Sequence, residues 1–156
     1  MQYLKNIKQL LLSTSDSYAP IALRVLLAIV IFPHGAQKLL GWFGGFGFDG
    51  TMNYFIETVG LTWFDGLLVI IIEFFGPLFL ILGLGTRLWS LGLLVVMAGI
   101  IFTTINQYFF MNWFGAQKAE GYEFFLLAIA MSLSLLISGG GNWSLDKRLF
   151  TGSNTA

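Results

Sequence analysis

The sequence contains no cysteine and only one histidine among its 156 residues. Without cysteine there can be no disulfide framework, no CxxC redox pair and no thiolate metal site. One histidine and a few scattered carboxylates do not supply the ligands of a typical metal centre, so no metal is expected. Any redox role would therefore need a bound cofactor or a partner protein.

Charge is also scarce, because charged residues make up 10% of the chain whereas a typical soluble domain has about 25%. So few charges cannot cover the surface of a soluble globule. The eight basic and eight acidic residues cancel, and no basic run is long enough to form a nucleic-acid patch. We therefore expect a lipid bilayer as the surroundings of the chain and no nucleic-acid partner.

Hydrophobic residues, by contrast, form 56% of the chain, and sixteen of the residues are phenylalanine. A helix needs about 20 residues to cross the hydrocarbon core of a membrane, so four or five spans would use most of this length. The pattern predicts an all-α membrane protein, a single domain over residues 1–156 built as a bundle of four transmembrane helices. The predicted spans are residues 19–40, 64–82, 88–110 and 122–137, which leave an N-terminal interfacial segment (1–18) and a C-terminal tail (138–156).

The segment between the first two spans changes character halfway. Gly41 to Gly50 is too rich in glycine to be helical, but from Thr51 onward apolar residues recur at helical spacing. This stripe predicts a short amphipathic helix that lies on the membrane surface. Its members are Met52, Phe55, Ile56 and Val59.

The orientation follows from the basic residues near the span ends. An excess of lysine and arginine marks the cytoplasmic side of a membrane protein. Five basic residues fall on the side that holds both termini, and only Lys38 and Lys118 fall on the other. We expect both termini in the cytoplasm and the short helix on the outer face. The five are Lys5, Lys8, Arg87, Lys147 and Arg148.

Four ionisable residues lie inside predicted spans, where a charge costs roughly 2.5–3.5 kcal/mol at the centre. Arg24, His34 and Lys38 share one face of the first span at about 100° per residue. Glu73 is in the middle of the second span, level with about Val30 on rise per residue. We expect the four to converge inside the bundle rather than to face lipid, with Arg24 or His34 holding Glu73 charged, directly or through water.

The rim of such a pocket would come from the outer ends of the spans. The candidates there are Trp42, Asn106, Gln107 and Glu123. A structural interpretation stays open for all of these residues, since arginine and lysine can extend toward the membrane surface and an ion pair can simply fix helix packing.

Several motifs in order resemble the DoxX/DoxD-like family of small bacterial membrane proteins. They are Arg24, the HGxxK segment from His34 to Lys38, the loop GWFGGFGFDGT from Gly41 to Thr51, Glu73 with Gly76, and Gly83 with Thr86 and Arg87.

The resemblance implies a four-helix bundle in the bacterial inner membrane. It also implies kinship with subunits of terminal quinol oxidase and of thiosulfate:quinone oxidoreductase, and with complexes of oxidative stress. The matching positions that it singles out are Arg24, His34, Lys38 and Glu73. The sequence has no motif for haem, flavin or iron–sulfur binding, so whether the chain is an enzyme stays open.

Three functions remain in view. The first is a redox-associated subunit that binds a quinone or a similar lipid-soluble ligand in the polar pocket, alone, as a homo-oligomer or with other membrane redox subunits. The second is a membrane chaperone or assembly factor in which the same polar residues hold the bundle together. The third is a small transporter or channel with Glu73 and Arg24 along a polar path.

Overall fold

The computed structural model describes residues 12–103 and 107–152. Within these ranges the chain is helical apart from its turns and loops, and an isolated β-bridge joins Tyr108 to Gly121. The helices are α1 (Ala19–Leu40), α2 (Gly47–Asn53), α3 (Trp63–Leu82), α4 (Thr86–Thr103), α5 (Glu123–Ser138) and α6 (Leu145–Gly152), with a 3₁₀ turn at Trp42–Gly44 and a π-helical continuation of α2 at Tyr54–Val59.

Three of these helices are long and apolar enough to cross a membrane. They are α1 with 22 residues, α3 with 20 and α4 with 18. The fourth long helix, α5, is equally apolar but has 16 residues, which gives a length of about 24 Å. The predicted all-helical membrane class is confirmed, and the chain is a multi-pass membrane protein. That α5 also crosses the membrane stays a prediction.

The helices pack as two close pairs. The contacts of α1 with α3 and of α4 with α5 are the most extensive, while those of α3 with α4 and of α1 with α5 are fewer. Apolar side chains from all four helices fill the centre of the bundle and are almost wholly buried. They include Leu27, Ile31, Leu80, Leu93 and Leu135.

The bundle has two different ends. We call the end that carries residues 41–62 and 107–122 the capped end. The end that carries the turn between α3 and α4, together with the segment from Gly139 to Ser144, is the turn end. Glycine supports the sharp turns at both, because Gly41 and Gly83 end α1 and α3 in the left-handed conformation.

The cap after α1 differs in its start from the prediction. The helix begins at Gly47 rather than after Thr51, and it runs on through Val59. Met52 and Phe55 of the predicted stripe are buried and pack with Ile70 of α3. The stripe therefore marks a helix, but Met52 and Phe55 pack onto the bundle, whereas Ile56 remains exposed.

The predicted third span (88–110) is wrong at its end. Helix α4 ends at Thr103, and residues 107–110 are not helical. The backbone N–H groups of Tyr122 and Glu123 donate to the carbonyls of Tyr108 and Phe109, each at 3.0 Å. Tyr108 and Phe109 thus pair with the start of α5 instead of continuing α4.

The predicted C-terminal tail contains a docked helix, α6. The carboxylate of Asp146, only 1% exposed, accepts hydrogen bonds from the N–H groups of Gly85 (2.7 Å) and Thr86 (2.9 Å). These are orphan donors at the start of α4, where a negative charge is also favoured by the helix dipole. Asp146 thus fastens α6 to the turn end.

Candidate functional site

The site is set by a close approach of α1 and α3 at Gly35. A Cβ atom on Gly35 would lie 2.3 Å from the carbonyl oxygen of Glu73, so only glycine fits there. Pro77 lacks the N–H that would otherwise bond to this carbonyl within α3. The contact places Glu73 level with Gly35 rather than with Val30, about 7.5 Å further toward the capped end.

At this level Glu73 forms an ion pair with Lys38. The Nζ of Lys38 lies 2.5 Å from Oε2 of Glu73. The Glu73 side chain is 1% exposed and that of Lys38 is 23% exposed. The carboxylate is therefore deep in the bundle, whereas the Lys38 side chain is partly accessible from the surface. A buried charge requires such a partner. The prediction that Arg24 or His34 holds Glu73 charged is corrected, because the direct partner is Lys38.

Two cavities meet at this ion pair. The His34 cavity has a volume of about 420 Å³ and the Val95 cavity one of about 380 Å³. Lys38, Glu73 and Ile100 line both. The His34 cavity is also lined by Ile31, His34, Met97, Met111, Glu120, Phe124 and Phe125, and the Val95 cavity by Tyr54, Phe55, Val59, Leu61, Asp65, Leu68, Val69, Ile72, Val95, Val96, Gly99 and Thr103.

His34 joins the ion pair in the first of these cavities. It lies one helical turn before Lys38, and its exposed ring sits 6.1 Å, between ring centroids, from that of Phe124 on α5. The imidazole can donate or accept a hydrogen bond there. The structure brings His34, Lys38 and Glu73 together at one cavity, with His34 exposed rather than inside the bundle.

Arg24 lies elsewhere, at the turn end. It is 3% exposed, and its guanidinium donates to the carbonyl of Leu80 at 3.1 Å and to that of Trp143 at 2.9 Å, with Ile81 as a further acceptor. Carbonyls in the last turn of a helix lack partners within the helix and carry partial negative charge. Arg24 therefore neutralises the end of α3 and does not belong to the cluster around Glu73.

The predicted rim residues line neither cavity in the described part of the chain. Trp42 and Gln107 are exposed. Glu123 instead accepts a hydrogen bond from the N–H of Met111 at 2.9 Å and so holds a residue that does line the His34 cavity. Asn106 lies outside the described residues.

Among the ionisable residues of the His34 cavity, Glu120 was not predicted from the sequence. Glu120 belongs to the loop before α5, and its carboxylate accepts from the N–H of Asn112 at 3.0 Å. Asn112 also binds both backbone groups of Gln117 at 3.0 Å and closes the loop. A loop has no periodicity that would show which side chain borders a cavity, so no sequence signal marked the exposed Glu120.

Comparison with known proteins agrees with the motifs. The model of a family described as DoxX matches residues 19–106, which is more than half of the chain. A protein of Bacillus subtilis (strain 168) named "Putative oxidoreductase CatD" is 27% identical over 141 residues, covering 90% of this chain and 94% of its own length. No solved structure matches the chain significantly. Together the family and the relative support a redox-associated membrane protein.

Proposed function

Because the chain belongs to the DoxX family, we propose that it is a membrane subunit of a redox system that binds a quinone or a similar lipid-soluble ligand beside the Lys38–Glu73 ion pair. The observation that carries the proposal is the position of this pair. It is buried among apolar helices, yet both of its members border two cavities. An ion pair that served packing alone would not need this space.

The side chains of the His34 cavity suit the polar part of such a ligand. The ammonium of Lys38 has three N–H donors, of which the bond to Glu73 uses one. The others, and the imidazole of His34, can donate to the carbonyl oxygens of a quinone. Phe124 and Phe125 offer aromatic walls for its ring. Ligand sites typically combine such apolar walls with a few polar groups.

Glu73 is the residue that we assign to proton transfer. Reduction of a quinone consumes protons, and a carboxylate inside a membrane commonly marks a proton path. The two electrons of the reduction would come from a partner subunit, since the sequence has no motif for haem, flavin or iron–sulfur binding. We also propose that the membrane is the bacterial inner membrane and that both termini face the cytoplasm. A C-terminal tag that is reached only from outside intact cells would refute the orientation.

The test is to measure quinone binding to the purified protein. Extracting the protein in mild detergent and identifying co-purified quinones by mass spectrometry comes first, followed by titration with decylubiquinone. The informative variant is the double substitution Lys38→Met with Glu73→Gln, which removes both charges and keeps the approximate shape. Lys118→Gln, in an exposed loop residue that lines neither cavity, is the matched control.

We expect the wild type and Lys118→Gln to bind alike and the double variant to bind at least about tenfold more weakly, a loss of about 1.4 kcal/mol. Unchanged affinity in the double variant would refute the site. Unchanged affinity with a clear loss of thermal stability would favour the assembly-factor interpretation, in which the pair only holds α1 on α3.

A further inference from the structure

The two cavities occupy the two looser interfaces of the bundle. The Val95 cavity is bordered by α3, α4 and the cap, and the His34 cavity by α1, α4, α5 and the loop before α5. The contacts of α3 with α4 and of α1 with α5 are less extensive than those within the two close pairs. The Lys38–Glu73 ion pair stands between the cavities and lines both.

The walls of the two cavities differ in chemistry. Most of the Val95 cavity is hydrocarbon, with polar groups besides the ion pair at Tyr54, Asp65 and Thr103. Fewer residues line the His34 cavity, and its polar groups besides the ion pair are His34 and Glu120. Polar residues are thus four of the ten that line the His34 cavity and five of the fifteen that line the Val95 cavity, so the first is the better place for a polar group and the second for an apolar chain.

The Val95 cavity also reaches the surface that faces lipid. Val95 of α4 and Leu68 of α3 line it, yet they are 59% and 38% exposed. A molecule in this cavity can thus extend between α3 and α4 into the bilayer without passing through water.

Gly99 keeps part of this cavity open. A Cβ atom at Gly99 would meet nothing within 4 Å, whereas one at Gly92 on the same helix would touch Ile72 at 3.3 Å. Glycine inside a helix is destabilising relative to alanine. Among the described residues, no close approach of another helix explains the glycine at position 99, and the space beside it belongs to the Val95 cavity.

We propose that the ligand is a tailed amphiphile that spans the ion pair, with its polar head in the His34 cavity and its apolar tail in the Val95 cavity. The tail leaves the bundle between α3 and α4. This inference rests on the proposed function and deepens it, because it requires a long-chain quinone or a comparable prenyl or acyl compound rather than a bare ring.

The experiment compares two probes on wild type and Gly99→Phe. The probes are decylubiquinone and the same ring without the tail, each titrated against the purified full-length protein in the same detergent. Phe at position 99 would occupy part of the Val95 cavity, and position 99 does not line the His34 cavity. Leu91→Phe, on the exposed face of the same helix and lining neither cavity, is the control for added bulk.

We expect Gly99→Phe to weaken binding of decylubiquinone by about tenfold, a typical effect of overpacking. The affinity of Gly99→Phe for the tailless ring should stay within about twofold of the wild-type affinity, a change smaller than the lowest cost of overpacking. Leu91→Phe should change neither. If Gly99→Phe does not fold, Val95→Phe fills the same cavity from a position that is already exposed.

Equal effects on both probes, or no effect on either, would overturn the inference while the site itself stands. If the wild type binds neither probe, the proposed function fails first and the inference falls with it. The two failures are therefore distinguishable.

Discussion

Arg24 and Lys38 lie on the same helix, and both are paired, but with different kinds of partner. At the turn end, the guanidinium of Arg24 bonds to backbone carbonyls of α3 and of the segment after α5. At the capped end, the ammonium of Lys38 bonds to a side chain, Glu73, and faces two cavities. Arg24 lines neither the His34 cavity nor the Val95 cavity.

The difference shows how a charge in the membrane can be used. Backbone carbonyls cannot move without moving their helix, so a charge bound to them fixes the fold. A pair of side chains has rotamer freedom, and each partner keeps further hydrogen-bonding capacity. Space beside the pair lets a ligand use that capacity. Under the proposed function, Arg24 therefore stabilises the fold, whereas Lys38 and Glu73 bind the ligand.

The largest expected effect is that of Arg24→Met on stability. The substitution removes hydrogen bonds from a charged donor to the carbonyls of Leu80, Ile81 and Trp143. Such bonds contribute roughly 1.5–3 kcal/mol each. Because the contributions of bonds from one side chain do not simply add, we expect a loss of about 3–5 kcal/mol, seen as a lower midpoint of unfolding in detergent. The affinity of the remaining folded protein for a quinone should not change. A variant that is as stable as wild type but binds the quinone with altered affinity would show that Arg24, like Lys38, serves ligand binding rather than stability.

Lys38→Met should have the next largest effect. The substitution leaves the carboxylate of Glu73 buried without its cation. Removing one partner of a buried pair costs roughly 3–5 kcal/mol, although the cost falls where the remaining group can take up a proton. We expect about 2–4 kcal/mol here for that reason. Adding Glu73→Gln should restore most of the lost free energy of unfolding, and a double-mutant cycle measures the coupling between the two residues. Additive losses would show that the pair has no coupling.

Two glycine substitutions sharpen the comparison at a smaller scale. Gly35→Ala puts a Cβ atom 2.3 Å from the carbonyl oxygen of Glu73, and we expect a loss of about 1–3 kcal/mol. Gly99→Ala meets no atom within 4 Å, and its better helix propensity should make it neutral or stabilising by up to about 1 kcal/mol. Equal effects of the two would contradict the close approach of α1 and α3. Thermal unfolding of both variants in one detergent is the measurement.

Much of the fold could be predicted from local signals. Pro20 in the first turn and Gly41 after the last turn frame α1, and its predicted bounds agree with the structure. The end of α4 and the docking of α6 could not be predicted in this way. They depend on the pairing of residues 108 and 109 with the start of α5 and on the bonds of Asp146 to a distant turn.

The candidate site shows the same division. The spacing of His34 and Lys38 by four residues predicts a shared face, and both line the His34 cavity. The partner of Glu73 could not be predicted, because the relative shift of two helices depends on where their surfaces fit. Here Gly35 sets that shift and brings Lys38, rather than Arg24, within reach.

The smallest expected effect is that of Asp16→Asn at the turn end. Asp16 accepts a hydrogen bond from Lys147 at 2.6 Å, and this bond and the charge of Lys147 lower the pKa of the Asp16 carboxyl below its usual value. A lowered pKa means that the pair stabilises the folded protein above the pKa of the unfolded chain, about 3.9, and that this contribution is lost as the pH falls through the folded-state pKa. Because Asp16 is fully exposed, water and salt screen the pair strongly.

Asp16→Asn should therefore unfold within about a degree of wild type at pH 7, within the range of surface substitutions. Any difference from wild type should vanish in acid or at high salt. Thermal unfolding from neutral to acidic pH measures this. A large loss at neutral pH would show that charges at the turn end are as important outside the bundle as Arg24 is within it.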